Sequence, residues 1–119
     1  MTDPGPTEWG GGGRPAIERF AVVEALISEG APIATAWFAD RQIGPTLLQF
    51  GTDEQRGTYV PRLTSGEYVA ASFALSEPEA GSDPGAMRTV ARQVDGGWEI
   101  TGQKQWITSG THAGVMVVW

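Results

Sequence analysis

The chain has 119 residues, 40% of them hydrophobic and 18% charged, which is enough apolar material for a folded core and excludes a disordered tail. Its formal net charge of −6 comes from scattered acidic residues, so we expect no nucleic-acid partner. There is no cysteine and a single histidine, His112, which excludes disulfides, thiolate nucleophiles and Cys- or His-rich metal sites. Residues 1–6 lack the pattern of a secretory signal, and no apolar run is long enough for a membrane span, so we expect a soluble cytoplasmic protein.

The first half of the sequence predicts helices. After a glycine-rich turn, residues 15–28 are expected to form a helix that starts at Pro15, stops at Gly30 and packs through one apolar stripe (Ala16, Phe20, Val23 and Ile27). Residues 33–50 predict a second helix, kinked or broken at Gly44–Pro45 because proline lacks a donor and clashes with the preceding turn. Thr52 and Gln55 form a capping-box pattern for a third helix, which is expected to end or bend near Pro61.

The second half predicts strands, at residues 69–75, 88–94, 98–101, 103–108 and 115–119, with a hairpin turn at Asp95-Gly96-Gly97. Helices followed by an antiparallel meander place the chain in the α+β class. The last predicted strand runs to Trp119 with no closing element after it, which would leave a sticky edge. We therefore expect either a truncated chain or a partner chain that covers this edge.

Two segments contain more small, hydroxyl and aromatic residues than packing requires. Residues 73–83 form a predicted strand that runs into a loop of small residues and serines, where backbone amides can approach a ligand closely. In residues 101–110, Trp106 and Thr108 lie two apart on a predicted strand and would project to the same face. An aromatic wall beside a hydroxyl suits a planar heterocycle with polar edges, such as a flavin.

The sequences ALSEPEAGSD and ITGQKQWITSG, in this order, resemble the two signature segments of acyl-CoA dehydrogenases. The preceding FGTDEQRGTYVPRLTSGE resembles the family's connector between its N-terminal helices and its middle β-domain, and WGGGG resembles its glycine-rich turn. The resemblance implies a partial N-terminal helical domain at residues 1–66 and a partial middle β-domain, part of a β-barrel in the family, at residues 67–119.

The resemblance also implies an FAD site. Residues 73–82, from Phe73 to Ser82, match the family's flavin-contacting strand and loop, in which Leu75 and Ser76 would bond the pyrimidine side of the isoalloxazine. Ser82 matches a position that also touches the acyl-CoA. In the second segment, Trp106 would pack against the flavin, Ile107 belongs to the same contact, and Thr108 would place its hydroxyl near N5.

Taken one at a time, these residues also fit roles without a ligand. A lone tryptophan such as Trp106 is more often a core residue, and serines such as Ser76 more often make local turn bonds. Glu77 and Glu79 resemble an acid/base pair, but carboxylates beside a proline in a loop are usually solvated. His112 has no neighbour at ligand spacing and fits a surface position. Only the joint occurrence of the two segments favours the flavin site.

The implied reaction is α,β-dehydrogenation of an acyl-CoA substrate with FAD as acceptor and an electron-transfer flavoprotein as the next carrier. In the family the catalytic base lies on a C-terminal helical domain that also drives oligomer formation, so we assign no catalytic residue here and expect the isolated chain to be inactive. Two alternatives are an acyl-CoA oxidase or flavin monooxygenase of the same scaffold, and a non-catalytic binding subunit that completes a partner's site.

Overall fold

The computed structural model describes residues 5–68 and 70–119. Residues 1–4, which belong to the start that lacks a secretory-signal pattern, and Val69, the first residue of a predicted strand, lie outside the described residues. Its helices are α1 (Ala16–Ser28), α2 (Ala34–Phe38), α3 (Gly44–Phe50) and α4 (Asp53–Thr64), with a π-helical turn at Ala39–Ile43. Its strands are β1 (Ala71–Ala74), β2 (Val90–Val94), β3 (Gly97–Thr101) and β4 (Val115–Val118). Short 3-10 turns lie at Thr7–Trp9 and Pro84–Ala86.

Helix α1 begins directly after Pro15, as the sequence predicted, and Gly30 follows its end in the left-handed conformation. The predicted packing stripe is wrong in part, because the side chains of Phe20 and Ile27 are exposed. The half-buried side of α1 includes Val22 and Leu26 instead. Within the described residues, the stripe is therefore covered only in part, since Val23 is half-buried while Phe20 and Ile27 are exposed.

The predicted break at Gly44–Pro45 takes a milder form. Backbone angles stay helical from Phe38 through Gly44, and α2 and α3 are joined by the π-helical turn. Pro45 then occupies the first turn of α3. A π-helical turn widens the helix locally, which accommodates a proline that could neither donate nor fit a regular turn. The helix is thus adjusted at this point and not interrupted.

Helix α4 confirms the capping box. The Thr52 hydroxyl accepts from the Gln55 amide at 3.2 Å, and the Gln55 side chain accepts from the Thr52 amide at 2.9 Å. The predicted end near Pro61 is confirmed to within one turn, since the helix continues through Pro61 and ends at Thr64. Only the last turn follows the proline, and the carbonyl of Pro61 still accepts from the Ser65 amide at 3.0 Å.

The α+β class and the order of helices before strands are confirmed, but the strands do not form a simple antiparallel meander. β2 and β3 pair antiparallel across a turn in which Gly96 has a φ of 83°. β1 instead pairs in parallel with β4, from Ala71 opposite Val115 to Ala74 opposite Val118. Residues 103–108, predicted as a strand, form an irregular bend, so β1 and β4 are joined by a long connection that includes the hairpin.

The core lies where α3, α4 and the π-helical turn meet β1. Its buried members are Ala39, Ile43, Leu47, Val60 and Ala71. Ile43 is fully buried, and Phe73 and Val117 from the two paired strands pack against the cluster. This contact fixes β1, and with it the segment that follows β1, against the helices. None of the described helices has the length and apolar character needed to cross a bilayer.

Candidate functional site

The structure brings the two chemistry-bearing segments into direct contact. The backbone amide of Gln105 donates to the carbonyl of Ser76 at 3.0 Å. The hydroxyl of Ser72, which is fully buried in β1, donates to the carbonyl of Thr108 at 2.6 Å. The loop that leaves β1 and the bend around Trp106 are therefore joined on both sides of the tryptophan.

We call the contact between residues 72–77 and 104–108 the junction, and Glu77 is its polar centre. Its side chain is only 5% exposed and accepts hydrogen bonds from the Arg88 amide at 2.6 Å and from the Thr89 amide at 3.0 Å. The Thr89 hydroxyl donates to it at 2.5 Å, and the Lys104 ammonium donates at 2.8 Å. Glu77 therefore connects its own loop to the chain before β2 and to the segment that carries Trp106.

Lys104 strengthens the same junction. Its ammonium also donates to the carbonyl of Leu75 at 3.0 Å, and Gln105 donates through its side chain to the carbonyl of Glu77 at 3.1 Å. The sequence interpretation of Glu77 as a solvated carboxylate was wrong, whereas Glu79 is exposed and pairs with Arg88 at 2.6 Å. The sequence signal for this buried pair is the lysine of the second segment, Lys104, to which the resemblance assigns no role.

The environment of Glu77 favours its charged form. The hydrogen bond from Lys104, followed by those from the Thr89 side chain and the Arg88 amide, lowers the pKa of Glu77 from 4.5 to about 2. Because the carboxylate is ionised at neutral pH and its oxygens are occupied by donors, Glu77 is unsuited to act as a general base. Its place in the site is structural.

The predicted cofactor-binding residues of the first segment run from β1 into the loop that follows it. Phe73 is half-buried in β1 and its ring contacts that of Trp119, with centroids 5.6 Å apart. Leu75 and Ser76 are half-buried where β1 ends, and Ser82 is exposed farther along the loop. Leu75 and Ser76 therefore bond across the junction, Phe73 lies in the strand before them, and Ser82 lies on the open side of the loop.

In the second segment, Trp106 is 88% exposed and has a φ of 58°, in the left-handed region. The prediction that Trp106 and Thr108 project to one face of a strand is wrong, because the chain bends at Trp106 instead of running extended. Ile107 is half-buried and Thr108 is exposed. Because of this exposure, Trp106 is not part of the core that the described residues form.

The site has unused binding capacity. Within residues 5–68 and 70–119, the hydroxyls of Ser76, Ser82 and Thr108 make no hydrogen bond. Unbonded hydroxyls and an exposed aromatic ring are groups that can contact a planar ligand with polar edges. Two ionised groups of the first segment are by contrast paired, Glu77 with Lys104 and Glu79 with Arg88.

His112, the single histidine, belongs to no metal-binding group of side chains within the described residues. His112 bonds through Nδ1 to the neighbouring Thr111 hydroxyl at 2.7 Å and is exposed. Among the described residues, no group of three or more His, Asp or Glu side chains could hold a metal ion.

Two cavities lie away from this junction. One, of about 420 Å³, lies among the helices, where Arg19, Asp40 and Tyr68 are part of its lining. The other, of about 460 Å³, lies between α3, α4 and β4, and includes Phe50 and Met116. Neither is lined by a predicted flavin-contacting residue, so the candidate site lies outside both of these cavities.

The fold of this chain is a set of helices that leads into short strands, with two signature segments in contact after β1. Residues 3–67 match the N-terminal domain of acyl-CoA dehydrogenases and residues 72–119 match the middle domain. The chain belongs to the acyl-CoA dehydrogenase family, which confirms the resemblance of its motifs.

Individual relatives agree with this assignment. An acyl-CoA dehydrogenase of Bacillus subtilis is 32% identical over 100% of this chain and 31% of its own length. The ChsE4–ChsE5 complex of Mycobacterium tuberculosis contains a chain with a TM-score of 0.85 and 30% identity, covering 98% of this chain and 30% of that one. A glutaryl-CoA dehydrogenase of Mycobacterium smegmatis in complex with FADH2 has a TM-score of 0.60 and 39% identity over 65% of this chain and 20% of its own. The chain thus spans about a third of the length of the Bacillus relative.

Proposed function

We propose that this chain supplies the flavin-contacting part of an FAD-dependent acyl-CoA dehydrogenase, an oxidoreductase that acts on the CH–CH bond next to a thioester. The observation that carries the proposal is the contact between the two signature segments, with the exposed ring of Trp106 at its edge. Family membership supports the reaction class, and the M. smegmatis relative in complex with FADH2 supports the cofactor.

The chain's own residues have distinct proposed tasks. Leu75 and Ser76 offer backbone amides and the free Ser76 hydroxyl to the polar edge of the isoalloxazine, where such donors would stabilise negative charge on the reduced ring. Trp106 packs its ring against the flavin, and Thr108 offers its hydroxyl near N5. Bound FAD would supply the hydride acceptor, and the protein would align and tune it.

The remaining residues complete the contact. Phe73 supports the strand from beneath, because its ring is packed between the core and Trp119. Ile107 adds an apolar surface next to Trp106. Ser82, on the open side of the loop, is placed to contact both the flavin and the acyl-CoA. An electron-transfer flavoprotein as acceptor and an oligomeric assembly belong to the same proposal.

The proton-abstracting base is not proposed among the residues of this site. Glu77 is saturated by hydrogen bonds and Glu79 pairs with Arg88. We therefore expect the 119-residue chain alone to show little or no dehydrogenase activity. Turnover of an acyl-CoA with an electron-accepting dye by the purified chain alone would contradict this expectation.

The binding test uses the protein at the full length that its gene encodes. Trp106→Ala is expected to weaken FAD binding roughly 2- to 12-fold, since an aromatic contact is worth about 0.5–1.5 kcal/mol. Trp98→Ala is the matched control, because Trp98 is also exposed (66%) but lies on the hairpin, away from the junction. Equal FAD affinity for both variants, measured by flavin fluorescence titration, would refute the proposed position of the cofactor.

The reaction test uses the same protein. Acyl-CoA should reduce the bound flavin, and electrons should pass to an acceptor dye with little oxygen uptake. Stoichiometric oxygen consumption would indicate an oxidase or monooxygenase of the same scaffold. A flavin that binds but is never reduced by any acyl-CoA would favour a non-catalytic binding subunit.

A further inference from the structure

We propose that the Glu77–Lys104 pair is a positioning element of the cofactor site, which holds the Leu75–Ser76 bend in register with the bend at Trp106. The inference rests on the proposed function, since it concerns how the chain shapes its flavin-contacting surface. Neither residue is proposed to touch the flavin or the substrate.

The contacts of Lys104 place it at the right point. Its ammonium has two oxygen partners, the Glu77 carboxylate at 2.8 Å and the Leu75 carbonyl at 3.0 Å. The second partner belongs directly to a proposed flavin-contacting residue. Lys104 thereby fixes the end of the first segment, and Gln105, the residue after it, bonds to Ser76.

The contacts of Glu77 come from two other parts of the chain. Residues 88 and 89 donate to it through two amides and a hydroxyl, and residue 104 donates its ammonium. One carboxylate therefore sets the mutual position of three segments, none of which is held by a β-ladder at this point. The neighbouring strands end at Ala74 and Thr101 and begin at Val90, so Glu77 and Lys104 both lie outside them.

Net stability is a weak reason for such a pair. Burying two charges costs desolvation that their attraction only partly offsets, so an apolar pair of similar size often serves stability equally well. The side chains here are 11% and 5% exposed. A buried pair with directed bonds does, however, restrict geometry, and the flavin contacts on either side of it require a defined geometry.

The test compares four variants of the full-length protein: Glu77→Gln, Lys104→Met, the double variant, and Glu79→Gln as the matched control. Glu79 lies in the same loop and also forms an ion pair, but an exposed one. The single variants at the buried pair are expected to weaken FAD binding about tenfold or more, because each leaves a buried group of the other partner uncompensated. Glu79→Gln is expected to stay within about twofold of the wild type.

The flavin midpoint potential separates positioning from general destabilisation. Removing Lys104 alone leaves an unbalanced anion next to the site and should lower the potential, whereas removing Glu77 alone leaves a cation and should raise it. The double variant removes both charges and should return close to the wild-type potential while its FAD affinity stays reduced. Loss of thermal stability by itself would not produce shifts of opposite sign.

The outcomes separate the two proposals. If the wild type does not bind FAD, the proposed function fails and the pair has no cofactor to position. If the wild type binds FAD and the buried-pair variants bind it as Glu79→Gln does, with unchanged potentials, the proposed function stands and the positioning role is refuted. If both single variants and the double variant fail to fold, the pair is a requirement of the fold and the inference is likewise overturned.

Discussion

Ser72→Ala should loosen the bend that carries Trp106, although Ser72 itself is not among the proposed ligand-contacting residues. The Ser72 hydroxyl is fully buried and donates to the Thr108 carbonyl at 2.6 Å, across 36 positions of sequence. Alanine removes this donor and leaves the Thr108 carbonyl without its partner. The loss of such a bond costs about 1–3 kcal/mol. Because the bond joins β1 to the bend, we expect the cost to fall on local opening of residues 105–110 before it affects the whole fold.

Amide hydrogen exchange measures this opening. A cost of about 1–3 kcal/mol corresponds to exchange roughly 5- to 160-fold faster at protected amides of the bend, such as those of Gln105 and Gly110. Ser82→Ala is the control, since the Ser82 hydroxyl is exposed and has no hydrogen bond within the described residues. If Ser72→Ala changes the amide exchange rate of Gln105 by less than about twofold, the idea that this bond holds the bend is refuted.

Three further predictions test the charge, the core and the backbone conformation. Because the pKa of Glu77 is lowered from 4.5 to about 2, its contribution to stability is fully present above pH 4.5 and is lost as pH falls toward 2. In Glu77→Gln the free energy of unfolding should therefore depend less on pH in this window, and an unchanged pH dependence would contradict this. Ile43→Ala should cost about 2–5 kcal/mol in chemical denaturation, because Ile43 is fully buried, and a loss below about 1 kcal/mol would place it outside the core. Trp106→Asn should leave the melting temperature of the FAD-free protein equal or higher, since asparagine tolerates the left-handed φ and the lost ring is exposed; a clear drop would show that the ring is packed.

The sequence predicted the parts of the fold that depend on local chemistry. The capping box at Thr52 and Gln55 and the hairpin at Gly96 need only neighbouring residues, and both formed as predicted. The parallel pairing of β1 with β4 depends on tertiary packing, because β1 is fixed against the helices by buried residues such as Ala71. No local pattern distinguishes a parallel from an antiparallel partner for so short an apolar strand.

The same distinction separates what the sequence could and could not predict of the candidate site. The motifs identified which segments to consider, and the structure shows them in contact. The burial of Glu77 could not be predicted, since a glutamate beside Pro78 in a loop is normally solvated and its partner Lys104 is 27 positions away. Whether Leu75, Ser82 and Thr108 contact a flavin remains a prediction, because that contact involves atoms beyond this chain.

The conformation of Trp106 links these observations. A bulky residue with a φ of 58° is held at a cost of about 1–3 kcal/mol, and such strain persists only where neighbouring contacts over-determine the backbone. Burial of the ring cannot offset this cost, because 88% of the residue is exposed. The stabilisation must come from the bonds on either side, Gln105 to Ser76 before the ring and Ser72 to Thr108 after it. Two long-range hydrogen bonds within the chain thus hold an exposed indole in a strained position before any ligand is present. This is the condition under which stacking on a flat cofactor would add affinity at little entropic cost.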